Sequence, residues 1–349
     1  MKIIVTGGAG FIGSAFIRLA ISQGNTIINV DSLTYAACLS NLECVQDNNN
    51  YFFEHIDIRE RSKLEKVFSK YKPDAVVHLA AESHVDRSID GPSVFIESNI
   101  IGTFNLLETS LEYWKKSGYP KAFRFQHIST DEVFGSLPSN KDIKFSETSS
   151  YDPRSPYSAS KASSDHLVRA WHETYQLPIL ITNCSNNYGP YQFPEKLIPL
   201  VIINALSGKE LPIYGDGCNI RDWLYVEDHA NALLSVLKNG ENGRSYNIGG
   251  ENECTNLEIV QMICSFLDEL VPNSDYKYAD LIVFVKDRPG HDSRYAIDPS
   301  RIRKELGWRP SVQIQEGLRK TIEWYLVNKQ WWQELSARAG VGQRLGLKK

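Results

Sequence analysis

The sequence lacks the features that membrane-spanning and nucleic-acid-binding proteins need. Its longest apolar run, Leu197–Leu206, is far shorter than the ~20 residues that a membrane-spanning helix requires. The formal net charge of -4 offers no basic excess for a nucleic acid. Repeats and low-complexity tracts are also absent. We therefore expect a protein that binds neither membrane nor nucleic acid.

Cysteines are few, and none of them form a C-x-x-C pair, so metal ligation is unsupported. Such spacing favours reduced thiols in a cytosol over disulfides. The amino terminus, with Lys2 and an apolar run, could suggest a signal peptide, but the following glycines and Arg18 fit a folded strand and helix better. We expect a cytoplasmic protein without metal or structural disulfides. The cysteines are Cys38, Cys44, Cys184, Cys218, Cys254 and Cys264.

What the sequence does contain begins with a strand, a glycine loop and a helix. The chain has 349 residues, 42% of them hydrophobic, which is enough for one large domain or two smaller ones. The β-branched run that ends at Val5 gives way to glycines three residues apart, at Gly7, Gly10 and Gly13, and then to a helical pattern. Such a loop lets backbone N–H groups and the helix dipole hold a pyrophosphate.

A second strand, 26–30, ends at Asp31. A carboxylate at this position can accept hydrogen bonds from an adenosine ribose and would repel a 2′-phosphate. The order of strand, glycines, helix and acid therefore predicts NAD rather than NADP. The alternative is a glycine turn that binds nothing.

Strands and helices alternate steadily through the first half of the chain, which predicts a doubly wound parallel sheet of the α/β class. From Asn186 onward, asparagines, prolines and glycines are typical of loops that hold a substrate. We expect a dinucleotide-binding domain of residues 1–185 plus about 215–250, and a smaller mixed α/β substrate domain of about 186–214 and 251–349. Strands are predicted at 51–55, 74–81, 123–129, 178–182 and 245–250, and a strand followed by a helix over 221–239. Helices are predicted near 62–71, over about 93–116, and from Pro156 and Tyr157 through about 175.

Tyr157 and Lys161 stand four residues apart, on one face of a predicted helix. An ammonium beside a phenol stabilises the phenolate and is expected to lower its pKa into the range of a useful base. Alone, Y-x-x-x-K usually means a solvated helix face. Downstream of a dinucleotide loop, it indicates hydride chemistry at a carbinol.

With the T-G-G-x-G-x-x-G loop and Y-x-x-x-K, the chain resembles the extended short-chain dehydrogenase/reductase family over nearly its whole length. The resemblance implies a Rossmann domain joined to a smaller domain for a nucleotide sugar. Within the family, T-D-E-V-F-G at 130–135 is similar to the active site of nucleotide-sugar 4,6-dehydratases that act on dTDP-linked glucose. Other similar stretches are 78–88, 186–197, 214–223 and 287–295.

The resemblance implies a role for each residue of the site. Tyr157 takes the proton of the hydroxyl on C4 of the sugar, and Lys161 holds the phenolate and the nicotinamide ribose. Thr130 hydrogen-bonds the oxygen on the same C4. Glu132 removes the C5 proton, and Asp131, protonated, donates to the departing C6 hydroxyl. The alternative for the acid pair is an exposed acidic turn.

Binding residues follow from the same resemblance, with Arg221, Arg288 and His291 near the diphosphate. Asp57 is a candidate for the adenine amino group or, equally, a cap for the helix near 62–71. The residues implied for NAD are Gly7, Gly10, Phe11, Ile12, Gly13, Asp31, Ser32, Leu33, Thr34, Asp57, Ile58, Leu79, Ala80, Ala81, Ser83, Ser98, Tyr157, Lys161 and Asn187. Those implied for the nucleotide sugar are Ser83, Thr130, Asn186, Glu195, Lys196, Leu197, Pro212, Tyr214, Arg221, Asn256, Arg288, His291 and Tyr295.

The sequence departs mildly from the family pattern. Phe134 stands where tyrosine is usual, Ala37 and Cys38 stand where glycine and asparagine are common, and the residues after Trp332 are expected to be peripheral. By resemblance a homodimer forms through two long helices, 99–116 and 158–175. Alternatives are a dehydratase of UDP- or CDP-linked sugars, a UDP-sugar epimerase or decarboxylase, and a non-catalytic NAD-binding regulator.

Overall fold

The computed structural model describes residues 1–138, 142–287 and 289–338. Twelve strands are found in this part of the chain. They are β1 (Lys2–Thr6), β2 (Thr26–Asp31), β3 (Tyr51–His55), β4 (Ala75–His78), β5 (Arg124–Thr130), β6 (Ile179–Cys184), β7 (Asn186–Tyr188), β8 (Leu211–Tyr214), β9 (Ile220–Tyr225), β10 (Ser245–Ile248), β11 (Glu253–Thr255) and β12 (Ile282–Val285).

Twelve α-helices accompany these strands in the described residues. They are α1 (Phe11–Ser22), α2 (Arg61–Tyr71), α3 (Val85–Asp90), α4 (Pro92–Phe95), α5 (Thr103–Lys116), α6 (Pro156–Tyr175), α7 (Leu197–Leu206), α8 (Val226–Asn239), α9 (Asn256–Leu270), α10 (Ser300–Leu306), α11 (Ile314–Val327) and α12 (Lys329–Ser336). Short 3-10 helices cover Leu39–Val45, Asp131–Phe134 and Tyr278–Leu281.

A seven-stranded parallel sheet forms the centre, in the order β10-β6-β5-β4-β1-β2-β3. Its central residues Ile3, Ile4 and Val5 are fully buried because helices cover both faces. Helices α1 and α8 cover one face, and α2, α5 and α6 cover the other. The chain starts at β1, moves outward to β3, and then returns to β4 on the other side. This reversal places a crevice at the carboxyl ends of β1 and β4 and confirms the doubly wound α/β fold.

Smaller sheets form a second layer beside the first. One has the order β11-β9-β7, with β9 antiparallel to β11 and parallel to β7, and the other pairs β12 with β8. Helices α7, α9 and α11 pack around them through a separate apolar core that includes Ile202, Leu267 and Leu318. Strand β9 belongs to this layer, although the predicted division placed it in the first domain. Helix α10 packs against the first layer instead, because Ile302 is buried in the apolar core between the large sheet and helices α1 and α8.

The segment predicted as one helix over 93–116 differs in the structure. Helix α4 runs into a π-helical turn, Ile96–Gly102, and then into α5. The Asn99 side chain from this turn donates to the carbonyl oxygen of Glu82 at 3.0 Å and to Ser160 Oγ at 2.8 Å. The irregular turn thus ties the helix to two segments that border the crevice, a placement common for π-helical turns. Within the described residues, no helix combines the length and apolar composition needed to cross a bilayer.

Candidate active site

A cavity of about 370 Å³ opens at the carboxyl ends of the central strands. Most of the residues predicted from the sequence line it together. They are Gly7, Gly10, Phe11, Ile12, Gly13, Asp31, Ser32, Thr34, Asp57, Ile58, Leu79, Ala80, Ala81, Ser83, Ser98, Thr130, Asp131, Glu132, Tyr157, Lys161, Asn186, Asn187, Glu195 and Lys196. Leu33 is not among the lining residues; its backbone N–H donates to Asp31.

The glycine loop fits a pyrophosphate because side chains are excluded where the backbone must approach. Gly7 has a φ of +73°, and a Cβ there would lie 2.6 Å from the backbone nitrogen of Ala80. At Gly13 a Cβ would lie 2.2 Å from the Gly7 carbonyl oxygen. Gly10 immediately precedes α1, and the first residues of that helix, 11–13, line the cavity, where helix N–H groups can hold an anion. This cradle suits a dinucleotide.

Asp31 ends β2 inside the cavity. Its Oδ2 accepts from Ala9 N at 2.9 Å and its Oδ1 from Leu33 N at 2.8 Å, so the backbone fixes the carboxylate. Burial raises the pKa of Asp31, and the two amides oppose this rise. Each oxygen keeps a lone pair for a ribose hydroxyl.

Asp57 lines the cavity and does not cap α2. The residue that precedes this helix is Glu60. The Asp57 carboxylate instead accepts from Arg59, with Nη2 and Oδ2 2.7 Å apart, and Arg59 also lines the cavity. The capping interpretation is therefore wrong, because a local ion pair holds the carboxylate at the cavity wall.

The start of α6 is fixed by a reciprocal cap. Ser155 Oγ accepts from Ser158 N at 3.0 Å, Ser158 Oγ accepts from Ser155 N at 3.0 Å, and Pro156 occupies the first turn. This cap sets where the helix begins and therefore where Tyr157 and Lys161 face the cavity. Both side chains are buried.

The pKa of Tyr157 is raised rather than lowered. Burial is the main cause, the Glu132 carboxylate adds to it, and a hydrogen bond with Thr130 opposes it. Lys161 Nζ donates to the carbonyl oxygen of Ile128 at 2.8 Å, and burial lowers the pKa of this ammonium. The expected lowering of the Tyr157 pKa by Lys161 is not found in this structure, because burial dominates.

Asp131 and Glu132 follow β5 directly. Asp131 is only 1% exposed, so the interpretation as an exposed acidic turn is wrong. Its Oδ1 accepts from Thr130 Oγ1 at 3.3 Å, while its Oδ2 has no hydrogen-bond partner in the described part of the chain. Burial, and after it the charges of Glu132 and Asp222, raise the pKa of Asp131 well above the usual aspartate value. This raised pKa favours the protonated form of Asp131, which lies beside the second carboxyl group, that of Glu132.

Two residues predicted to bind the nucleotide sugar lie beyond the cavity wall, close to the acid pair. Arg221, on β9, stacks over the Tyr295 ring at 4.3 Å and donates from Nη2 to the carbonyl oxygen of Asp292 at 2.9 Å. The Arg221 charge lowers the pKa of Asp131, and the Glu132 charge raises that of Tyr295. These couplings place the pair next to the acids.

Other predicted substrate residues are spread over the second layer. Tyr214 Oη donates to Asp86 Oδ2 at 3.3 Å, and the His291 ring packs edge-on against Tyr214 with centroids 6.3 Å apart. Leu197 begins α7 and Asn256 begins α9. The last two are Pro212, in β8, and Arg288, which lies outside the described residues.

The sequence reasoning missed several residues of this region. Asp165 is fully buried one turn after Lys161, and its Oδ2 accepts from Ser129 Oγ and Tyr151 Oη, each at 2.8 Å. Its spacing of four from Lys161 was a usable signal. Further cavity residues to which the sequence analysis assigned no role are Tyr35, Ala36, Ala37, Glu82, Cys184, Gln192 and Phe193. No cluster of potential metal ligands was found among the described residues, and all six cysteines are free.

A doubly wound sheet with a glycine loop, an acid at the end of the second strand and a tyrosine–lysine helix facing one cavity defines the extended short-chain dehydrogenase/reductase class. Comparison with known proteins indicates which family within this class the chain is similar to. A family model described as GDP-mannose 4,6 dehydratase matches residues 4–321. A dTDP-glucose 4,6-dehydratase of Neisseria meningitidis is 59% identical over 351 residues, covering 99% of this chain and 99% of the relative.

Solved structures agree with this result. A dTDP-glucose 4,6-dehydratase from Streptomyces venezuelae, solved with NAD and a second ligand, has a TM-score of 0.88 at 44% identity, covering 96% of this chain and 100% of that chain. A UDP-glucose 4-epimerase from Thermotoga maritima, solved with UDP-glucose, has a TM-score of 0.82 at 31% identity, covering 94% and 100%. The chain belongs to the nucleotide-sugar 4,6-dehydratase family, and within it to the dTDP-glucose 4,6-dehydratases.

Proposed function

We propose that this protein converts dTDP-glucose to dTDP-4-keto-6-deoxyglucose and water, with NAD as its cofactor. One structural observation supports loss of water rather than epimerisation. Asp131, which is buried and has a raised pKa, stands beside Glu132 in the same cavity as Tyr157 and Lys161. An epimerase needs only a base for the hydroxyl, whereas loss of water needs an added acid and base.

The glycine cradle, Asp31 and Lys161 would hold the dinucleotide. When bound there, NAD would supply the acceptor for the hydride of C4 and the donor that returns it to C6, and its oxidised nicotinamide would bring a positive charge into the cavity. Tyr157 Oη takes the proton of the C4 hydroxyl. The Thr130 hydroxyl, already hydrogen-bonded to Tyr157, is placed to donate to the C4 oxygen as it becomes a carbonyl.

The two acids divide the elimination between them. The 4-ketone acidifies the C5 hydrogen, so the Glu132 carboxylate removes that proton. Asp131 gives its proton to the C6 hydroxyl, which leaves as water. The proton taken by Glu132 returns to C5 when C6 is reduced, and the C4 hydroxyl proton taken by Tyr157 balances the proton that Asp131 gave up. We assign the acid role to Asp131 and the base role to Glu132 because Asp131 is the more deeply buried, and burial raises the pKa of its carboxyl group.

We place the sugar near Ser83 and Glu195, which line the cavity, and the diphosphate near Arg221. Glu195 is fixed for this role by Arg87, with Nη2 and Oε2 3.0 Å apart. Lys196 Nζ donates to the carbonyl oxygen of Ser83 at 3.2 Å, which joins the loop after β7 to the loop after β4.

We also propose a cytoplasmic homodimer that serves deoxysugar synthesis, of which rhamnose synthesis is one form. The helices predicted for the dimer interface leave apolar side chains exposed, with Ile101 48% and Tyr175 42% exposed. Phe104 and Trp171 pack between them, with ring centroids 5.8 Å apart. An apolar surface of this kind suits a second copy of the chain.

The test is incubation of the protein with dTDP-glucose, followed by measurement of the alkali-induced absorbance of the ketosugar. We expect product from dTDP-glucose, and slower turnover of UDP- and CDP-glucose. Formation of a 4-epimer without a ketosugar would assign an epimerase instead, and NAD binding without turnover of any of these sugars would assign a regulator.

A further inference from the structure

The C-terminal helix holds the loop that follows β2. This cofactor-side loop, residues 35–41, contributes three cavity residues at its start. Arg338, just after α12, donates from Nη1 to the carbonyl oxygens of Tyr35 and Ala37, each at 2.8 Å. Charge-assisted bonds to two carbonyls fix the start of the loop. The expectation that the residues after Trp332 are peripheral is therefore wrong for Arg338, and residues 339–349 lie outside the described part of the chain.

The end of the same loop is fixed by Trp331. Its Nε1 donates to Asn41 Oδ1 at 2.9 Å. Asn41 is only 2% exposed, and its Nδ2 donates in turn to the carbonyl oxygen of Ala9, at 3.2 Å, in the glycine loop. Ala9 N donates to Asp31, as described above. A chain of hydrogen bonds thus leads from α12 to two elements of the cofactor cradle.

Aromatic packing holds Trp331 in the orientation that this chain requires. The Trp331 ring lies 5.0 Å from that of Trp324 and 5.8 Å from that of Tyr191, centroid to centroid. The Arg18 guanidinium lies over the Tyr191 ring at 4.4 Å and donates to the backbone oxygen of Asn41 at 2.8 Å. The buried asparagine is therefore held from both its side chain and its backbone.

We propose that Trp331, Asn41 and Arg338 are positioning residues that retain NAD. They hold the cofactor-side loop and Ala9 in the binding arrangement, so the cofactor leaves slowly between turnovers. The inference rests on the proposed function, in that NAD occupies the cavity. None of the three lines the cavity, and they act through the backbone of the loops that do.

The test measures release of NAD from the full-length protein. Wild type and variants are loaded with radiolabelled NAD, chased with unlabelled NAD, and assayed for retained label over time. Each lost hydrogen bond should accelerate release roughly 3- to 10-fold, so Trp331→Phe, which keeps the ring packing, and Arg338→Ala should both lose label faster. Lys329→Ala, on the same helix, is the control, because Lys329 makes no side-chain hydrogen bond within the described residues.

A double variant tests the route through Asn41. Asn41→Ala should release NAD at least as fast as Trp331→Phe, and adding Trp331→Phe to it should change the rate little, because both act through one chain of bonds. The thermal midpoint of Trp331→Phe should stay within a few degrees of that of wild type, whereas release caused by general destabilisation would be accompanied by a lower midpoint.

Release at the wild-type rate in both Trp331→Phe and Arg338→Ala would overturn the inference. Equal acceleration in Lys329→Ala would overturn it as well. A wild-type protein that takes up no labelled NAD would instead refute the proposed function, and this inference with it, so the two failures are distinguishable.

Discussion

Replacement of Asp131 by asparagine tests the division of labour between the two acids. Asparagine has nearly the same size and can keep an oxygen toward Thr130, but it has no acidic proton to give to the C6 hydroxyl. Since the raised pKa of Asp131 favours its protonated form, we expect the change to remove little buried charge. We expect the free energy of unfolding to change by no more than about 1 kcal/mol.

The effect on rate should be large by comparison. A positioned general acid contributes about 10²–10⁴ in rate, which corresponds to roughly 3–5 kcal/mol of barrier. Loss of water should slow by that factor, while Tyr157 and Glu132 still act. Solvent deuterium should therefore still enter C5 of recovered dTDP-glucose in the Asp131→Asn variant.

The assay compares ketosugar formation with deuterium incorporation at C5, measured by NMR or mass spectrometry. Asp152→Asn serves as a control, because Asp152 is not among the residues that line the cavity. Its carboxylate is 65% exposed and pairs with Arg154. Normal ketosugar turnover in Asp131→Asn would remove Asp131 from its role. Loss of C5 exchange together with turnover would mean that Asp131 also serves an earlier step.

Three further predictions test the cofactor cradle, the pH response and the assembly. Gly13→Ala should weaken NAD affinity at least about tenfold, measured by fluorescence titration, because a Cβ there meets backbone at 2.2 Å; Gly91→Ala, where a Cβ meets only an atom 3.9 Å away, should not. Burial lowers the pKa of His127 to about 4 and that of His229 to about 3, so their stabilising contribution is present above pH 6.5 and is lost as pH falls toward those values. The thermal midpoint should fall over that window, and a constant midpoint would contradict this. In sedimentation at micromolar concentration, wild type should be a dimer and Ile101→Glu a monomer. A monomeric wild type would contradict the proposed dimer.

Much of the first layer could be predicted because its signals are local. The run before Gly7, the acid at Asp31 and the spacing of Tyr157 and Lys161 each lie within a few residues of chain. The structure brings Gly7, Asp31, Tyr157 and Lys161 to one cavity. The doubly wound fold and the family are confirmed. The individual substrate contacts of the second layer remain predictions.

The features that could not be predicted depend on partners distant in the chain. No neighbouring residue in the sequence indicates that Asp131 would be buried. Nor does any indicate that the charge of Asp222, on a strand of a different sheet, would raise the Asp131 pKa. The π-helical turn at Ile96–Gly102 has helical composition and departs from α geometry where Asn99 reaches Glu82 and Ser160. Local patterns specify elements, whereas pKa values and loop supports are set by tertiary packing.

The bond between Trp331 and Asn41 joins residues 290 positions apart, and that between Arg338 and Tyr35 spans 303. At about 5–20 residues per second, the ribosome needs roughly 15 to 60 s to make the intervening chain. The first βα unit of the nascent polypeptide therefore emerges long before the segment that braces it. On the proposal that Trp331 and Arg338 retain NAD, we expect slow release of the cofactor only after α12 and Arg338 have been synthesised.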